Sequence, residues 1–387
     1  MWRETKELVV FKNFAGGYIY MSKPVIAILG GGNAGHASAA ELSLLGFECR
    51  LYQDQNFVKD MEKVFNTREI LLNRDPEGGC RVEGLASISV VTSDMAEAVS
   101  GADVILSHLP AFAHKGVAES LSGLVEDGQV IVLLPGTLGT LVFAEIFRKN
   151  GVTKDVILAE ANTNPYDTRI LAPGESFVYK MNDPLMLGVF PSNRTEEAIK
   201  KLEGVYDFVP MQDVLECAIH SHNPLLHTPA CIMSVSRIER SKGEFYLYEE
   251  AFTDTVCRVT CEMDKERMAI GEAFGYKTRS IEQLLSGLEN PGTLFKETNG
   301  NPGLCYIKGP TSVKSRYFTE DGLHGLVPWS QIGDMAGVQT PLIKAFATIE
   351  GSVIQRDMWG DGRTLEVMGI QGMDLDSFKQ YMKTGER

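Results

Sequence analysis

Residues 25–45 read VIAILGGGNAGHASAAELSLL, and the fold turns on how this run is parsed. VIAIL is continuously apolar, as a strand buried on both faces should be. Glycines stop it, and HASAAELSLL then offers Ala37, Ala40, Leu44 and Leu45 to a helix packed closely on a sheet. Strand, glycine turn and helix in that order form the first unit of a parallel α/β sheet. Within the turn Gly30, Gly32 and Gly35 satisfy GxGxxG, with Asn33 and Ala34 between the last two. Such glycines give a tight turn, a close backbone approach for pyrophosphate and tight helix–strand packing, while the helix amino terminus offers free N–H groups to phosphate. A dinucleotide is the expected ligand; the alternative is a glycine turn without one.

Outward from this unit, FECRLYQ (47–53), SISVVT (87–92), DVILSHL (103–109), QVIVLLPG (129–136) and DVILAEA (155–161) are further β-rich runs separated by helix-like segments. The repetition predicts a doubly wound parallel sheet. Gln53 closes the second strand where an acid would take the ribose hydroxyls of NAD; Asp54 is one residue late, and Lys59 is the nearest base. The cofactor reading is NAD or NADP without preference. SHLPAFAH (107–114), with Pro110, and LPGTLGT (134–140) lie at the carboxyl edge that faces a cofactor crevice. His108 and His114 there read as ordinary surface or loop histidines.

The chain has 387 residues, 44% hydrophobic and 23% charged, which predicts a globular protein of two domains. A net charge of −14 argues against nucleic acid and anionic membranes as partners. The seven cysteines form no CxxC pair, so reduced thiols in a cytoplasmic protein are expected, with no disulfide framework and no metal. No segment has the roughly 18 consecutive apolar residues of a membrane helix. Residues 1–20 read as a disordered or loosely docked extension rather than a signal peptide, and Met21 is a natural start.

Beyond about residue 210 the strand pattern stops. Phe252, Val256, Val259, Met263, Ile270 and Phe274 form one face of a long amphipathic helix ended by Gly275. PLIKAFATIEGSVI (341–354) and DLDSFKQYMKTG (374–385), with Asp374 or Asp376 as N-cap, are further helices. Their apolar faces would serve either a homodimer or the internal core.

SHNPLLHTPA (221–230) combines a turn at Asn223-Pro224 with a helix start at Thr228-Pro229, and the helix would continue through ACIMSVSRIERS. His227 would be pinned between them, either as a capping or core histidine or as an acid–base catalyst. RYFTEDG (316–322) offers Arg316 as a carboxylate clamp and Asp321 as a partner for an imidazole. It also reads as a solvated loop with an ordinary Arg–Glu pair.

Taken together, GGGNAG, EANTNPY (160–166), HNPLLHTPA and SRYFTED (315–321), in this order, resemble the octopine/nopaline dehydrogenase family, the opine dehydrogenases. The likeness runs from Val25 to Gly385 and includes EGSVIQRDMWGDGRTLEVMGI (350–370). The resemblance implies a Rossmann domain over 21–208, an all-α helical domain over 209–387, and substrate in the cleft between them. It implies reductive condensation of a 2-oxo acid, such as pyruvate, with the amino group of an amino acid, using NADH or NADPH. His227 would be the catalytic histidine of an Asn223-Pro224-x-x-His motif, and Asp321, five residues after Arg316, its acidic partner. Asn223 and Arg316 would meet substrate. Two other readings stand beside this one: a 2-oxo-acid or hydroxyacid reductase like ketopantoate reductase, and a non-catalytic NAD(P)-binding regulator.

Overall fold

The computed structural model describes residues 8–12 and 18–387, with side chains from Lys23 onward. Eight strands form the main sheet: β1 (Val25–Leu29), β2 (Glu48–Tyr52), β3 (Val90–Thr92), β4 (Val104–Ser107), β5 (Val130–Leu133), β6 (Ile157–Ala161), β7 (Leu185–Phe190) and β8 (Phe208–Pro210). Their spatial order is β8-β7-β6-β5-β4-β1-β2-β3. All neighbours are parallel except β6 and β7. The order reverses at β1 and β4, and a crevice opens there above the strand ends.

Helix α1 (Asn33–Leu44) follows β1 and is buried at every position from Gly35 to Leu42. Few helices are covered all round, and here a second sheet explains it. Tyr166–Ala172, Glu175–Met181, Glu69–Arg74 and Gly84–Ser87 pair in that order as four strands. This sheet lies across α1 from the main sheet, and the Ile170 amide donates to Asn33 Oδ1 at 2.8 Å. Beneath α1 a polar knot joins the layers: buried Glu41 accepts from Arg81 Nη2 at 2.8 Å and Tyr166 Oη at 2.6 Å. SISVVT was expected as one strand. The chain instead crosses between the sheets at Ile88 and Ser89, so Ser87 belongs to one sheet and Val90 to the other.

The expected extension over 1–20 falls partly on residues 1–7 and 13–17, outside the described residues. Within it, Leu8–Lys12 and Tyr18–Ser22 pair as an antiparallel hairpin that the sequence reading did not anticipate.

After Pro210 every described regular element is helical. Three expectations are corrected. Helix α2 (Asn223–Met233) begins at Asn223, so Thr228-Pro229 lies inside it rather than at its start. Pro224 occupies the first turn, where no N–H is required, whereas Pro229 removes the bond to the Leu225 carbonyl. The helix then breaks at Ser234 before Val235–Ser241, instead of running on. Finally, α3 (Asp254–Phe274) starts behind a Thr253 N-cap, which leaves Phe252 outside it, just after a five-residue π turn, Leu247–Ala251. Gly275, at φ 87°, does end it. Helix α4 (Pro341–Ile354) and Leu375–Thr384, capped by Asp374, match the expected spans.

A buried guanidinium bonds the two halves, which also share one apolar core. Arg363 is 2% exposed and donates to the Gly136 carbonyl at 2.8 Å, to the Thr137 carbonyl and to His114 Nδ1 at 3.0 Å. From below, Glu160 accepts from the amides of Leu138 (2.6 Å) and Thr140 (3.1 Å) and so fixes the same loop. Arg363→Met would leave those carbonyls buried without a donor. We expect a loss of about 3 kcal/mol in chemical denaturation, the order found when a buried polar group loses its partner.

Candidate active site

The glycine turn sits at the switch point as its sequence requires. Gly30, at φ 99°, donates its amide to the Tyr52 carbonyl at 3.0 Å. A side chain at Gly35 would overlap the Gly30 carbonyl, so this position holds helix and strand together. Gly32, the N-cap of α1, has no side-chain cap, and a Cβ placed there meets nothing within 4 Å. Gly32 and Asn33 are exposed, and Ala34 is half-buried in the first turn. An uncapped helix start behind open space fits the pyrophosphate of a dinucleotide. Gln53 Oε1 accepts from the Gly31 amide at 2.9 Å, while Asp54 is occupied in capping Asn56.

Facing this turn, a cleft runs between the strand ends and the helical half. Pro110, Asn223, Arg316 and Asp321 line it, together with His108 and Glu320. Helix α2 carries His227 against the lining residue Asp321, and the short helix Arg316–Thr319 ends just before Asp321. The two meet there: His227 Nδ1 lies 2.7 Å from Asp321 Oδ2, with the side chains 14% and 12% exposed. Asp321 thus fixes the ring and its proton on Nδ1, which leaves Nε2 to act as base or, when protonated, as acid. Tyr317 stands edge-on to the imidazole at 4.3 Å between centroids, and Tyr248 Oη lies 3.5 Å from Nε2. Burial keeps both phenols above their ordinary pKa, so they remain neutral donors.

Arg316 does form the Arg–Glu pair that its surroundings allowed. Its Nε lies 2.8 Å from Glu320 Oε2, and its side chain is 72% exposed. Glu320 Oε1 accepts from the Ala111 amide of the other half at 2.9 Å. The pair is recorded at Nε, and Arg316 is one of the residues that line the cleft.

Of the two histidines read as surface or loop residues, His108 is a half-buried loop residue at the cleft, whereas His114 is not at the surface. His114 is fully buried against Arg363, and both ring nitrogens of His108 are shielded from solvent. The reason is the packing of the helical half over the loops that carry them. Burial lowers the pKa of His108 and His324 to about 3, and of His220 and His222 to about 4. Among the described residues, His227 is the one histidine with a carboxylate hydrogen-bonded to its ring. Tyr248, Tyr317 and Arg363 were missed in the sequence, whereas Glu320 was named only as the partner of an ordinary Arg–Glu pair. Tyr317 and Arg363 lay inside stretches already singled out, whereas Tyr248 carried no local signal.

Residues 25–139 match the family model for the NAD-dependent glycerol-3-phosphate dehydrogenase N-terminus, and residues 210–354 that for the NAD/NADP octopine/nopaline dehydrogenase alpha-helical domain. The opine dehydrogenase of Arthrobacter sp. (strain 1C) is 32% identical over 352 residues, covering 90% of this chain and 95% of that protein. The structure of an octopine dehydrogenase with NADH and L-arginine superposes with a TM-score of 0.72 at 20% identity, covering 94% of this chain and 99% of that one. A yersinopine dehydrogenase with NADP+ bound gives 0.70 at 14% identity, covering 93% and 98%. The fold and cleft thus define a Rossmann-type NAD(P)-dependent dehydrogenase acting on CH–NH groups. The chain belongs to the octopine/nopaline dehydrogenase family, the opine dehydrogenases.

Two predictions follow from this geometry. Gly32→Val should fold normally and lose affinity for NADH and NADPH alike in calorimetric titration, whereas Gly35→Val should be strongly destabilised. In NMR titrations from pH 8 to 6, the rings of His108, His220, His222 and His324 should stay in their neutral positions.

Proposed function

We propose that this chain reductively condenses a 2-oxo acid, such as pyruvate, with the amino group of an amino acid, and that His227 is its acid–base catalyst. The observation that carries the assignment is the 2.7 Å His227–Asp321 contact at the wall of the cleft. The bound NAD(P)H supplies the hydride that reduces the imine carbon. The chain's own residues hold the substrates and move protons. Arg316 receives the oxo-acid carboxylate on its Nη groups, with Asn223 beside it at the start of α2. His227 Nε2 gives its proton to the oxygen leaving as water and takes one back from the amine. Asp321 stabilises the imidazolium at Nδ1 between these steps. Pro110 and the turn from Gly30 to Gly35, exposed at Gly32 and Asn33, would border the dinucleotide, with Gln53 towards its ribose.

In this reading the Rossmann domain covers 21–208 and the helical domain 209–387, with residues 1–20 as an extension outside both. The seven unpaired cysteines, five of them buried, support a reducing, cytoplasmic setting. Among the described residues no helix is long and apolar enough to cross a membrane. Small molecules alone are the proposed substrates. A homodimer is left to sedimentation measurements.

A matrix of 2-oxo acids against amino acids, run with NADH and with NADPH, tests the reaction. Cofactor oxidation that requires both substrates is expected. Full rates with oxo acid alone would point to a simple 2-oxo-acid reductase instead, and binding without turnover to a regulator. His227→Ala should lower kcat by roughly 10²–10⁴ with cofactor affinity unchanged. Asp321→Asn should move the limb of the pH–rate profile set by the imidazole to lower pH, because the charged ring loses its partner. Arg316→Ala should mainly raise the KM for the oxo acid.

A further inference from the structure

Two imidazoles line the cleft, one from each half, and none of the steps above uses them. His108 follows β4, and its backbone amide donates to the Leu29 carbonyl at 3.0 Å. His324 belongs to a second π turn, Gly322–Leu326, where its amide donates to the Glu320 carbonyl at 2.9 Å. A side chain at Gly325 would overlap the Pro224 ring, so this turn is packed on the start of α2. Both backbones are therefore fixed. Among the described residues, neither ring nitrogen of His108 has a hydrogen-bond partner, nor has Nδ1 of His324, and all three atoms are shielded from solvent.

Shielded donors and acceptors without partners are destabilising, and a leucine would fill such a place at less cost. Local conflicts of this kind concentrate at functional sites, where a ligand supplies the missing partner. The rest of the wall restricts what that ligand brings. Its two acids are occupied: Glu320 by Arg316 and the Ala111 amide, Asp321 by His227. A cationic group would find no free carboxylate there. An anion is better matched, because N–H groups from two walls suit the two oxygens of a carboxylate, and the Arg363 charge acts on His324. Joining a 2-oxo acid to an amino acid also leaves two carboxylates in one product. Arg316, the one cation among the residues that line the cleft, accounts for the first. We propose that His108 and His324 bind the second, the α-carboxylate of the amino acid, and hold it between the two halves. The inference rests on the condensation proposed above, which is what brings two carboxylates into one cleft.

Iminodiacetate, a secondary amine bearing two carboxylates, is the smallest probe of this site, and N-methylglycine carries one carboxylate only. In calorimetric titration of the NAD+-saturated or NADP+-saturated enzyme, His108→Leu and His324→Leu should each raise the Kd of iminodiacetate about tenfold, as expected for one lost hydrogen bond to a charged group. His108→Gln and His324→Gln keep an N–H and should recover much of that affinity. N-methylglycine, which Arg316 alone can hold, should bind both leucine variants as it binds wild type, and cofactor affinity should not change. In NMR spectra of the wild-type complex, the ring signals of both histidines should move on adding iminodiacetate and stay in place on adding dimethylamine, which has no carboxylate. Without ligand, both leucine variants should melt no lower than wild type, whereas a histidine kept for stability would melt lower on replacement. Failure of wild type to bind iminodiacetate, an unchanged Kd in both leucine variants, unmoved ring signals, or a loss that falls on the cofactor instead, overturns the proposal. None of these measurements needs turnover. If they hold while no amine-dependent oxidation of cofactor is found, the proposed reaction fails and the carboxylate site stands. If that oxidation is found and they fail, the assignment of His108 and His324 falls alone.

Discussion

The placement of this site depends on Arg363. A cleft enzyme must hold a cofactor turn on one half and proton-transfer groups on the other within a fraction of an ångström. Here the far end of the chain sends one guanidinium between the loops after β4 and β5, where it meets the Gly136 and Thr137 carbonyls and His114. The first of those loops leaves β4, which pairs with the strand carrying the glycine turn. Glu160 holds the same loop from the sheet side, and its charge acts on Arg363 through the buried layer. Burial lowers the Arg363 pKa to about 10, which still leaves it charged at neutral pH. The fold thus bears the desolvation of a full charge to keep two halves in one register.

Because that register is fixed, α2 and the 316–322 segment can do opposite things with similar polar residues. His222, at the helix start, is held neutral by burial; five residues on, His227 meets Asp321. Sequence distance does not separate the two rings. The direction in which each leaves the helix does, because five residues along a helix turn the side chain well over a full revolution.

This separates what was legible in the chain from what was not. The unit at 25–45 was legible because its glycines, strand and helix are local signals. The motifs around His227 and Asp321 were legible as motifs, but their meeting spans 94 positions and no periodicity reports it. The second sheet was missed because its strands come from distant stretches and bury one face only: Ile70 and Leu72, Ser176 and Val178. The start of α2 was misplaced because two Xaa-Pro pairs compete for the same role. Tertiary packing, which covers Thr228 and Pro229 completely, decides in favour of the first.

The covering of α1 on both sides has a consequence for how this enzyme can change. Eight successive positions of that helix are buried, so almost any substitution there disturbs packing, and Gly30, Gly31 and Gly35 of the turn before it have no room for a side chain either. The segment just after β2 is different. Asp54 to Phe57, Lys59 and Asp60 are exposed, and they begin one residue beyond Gln53. The turn proposed to meet the phosphates common to both dinucleotides is therefore anchored in the core through Gly30, Gly31 and Gly35, while the part proposed to lie nearest the ribose borders free surface. Mutational drift has room only in the second, so a lineage built on this scaffold can exchange one nicotinamide cofactor for the other without touching the architecture that binds them both.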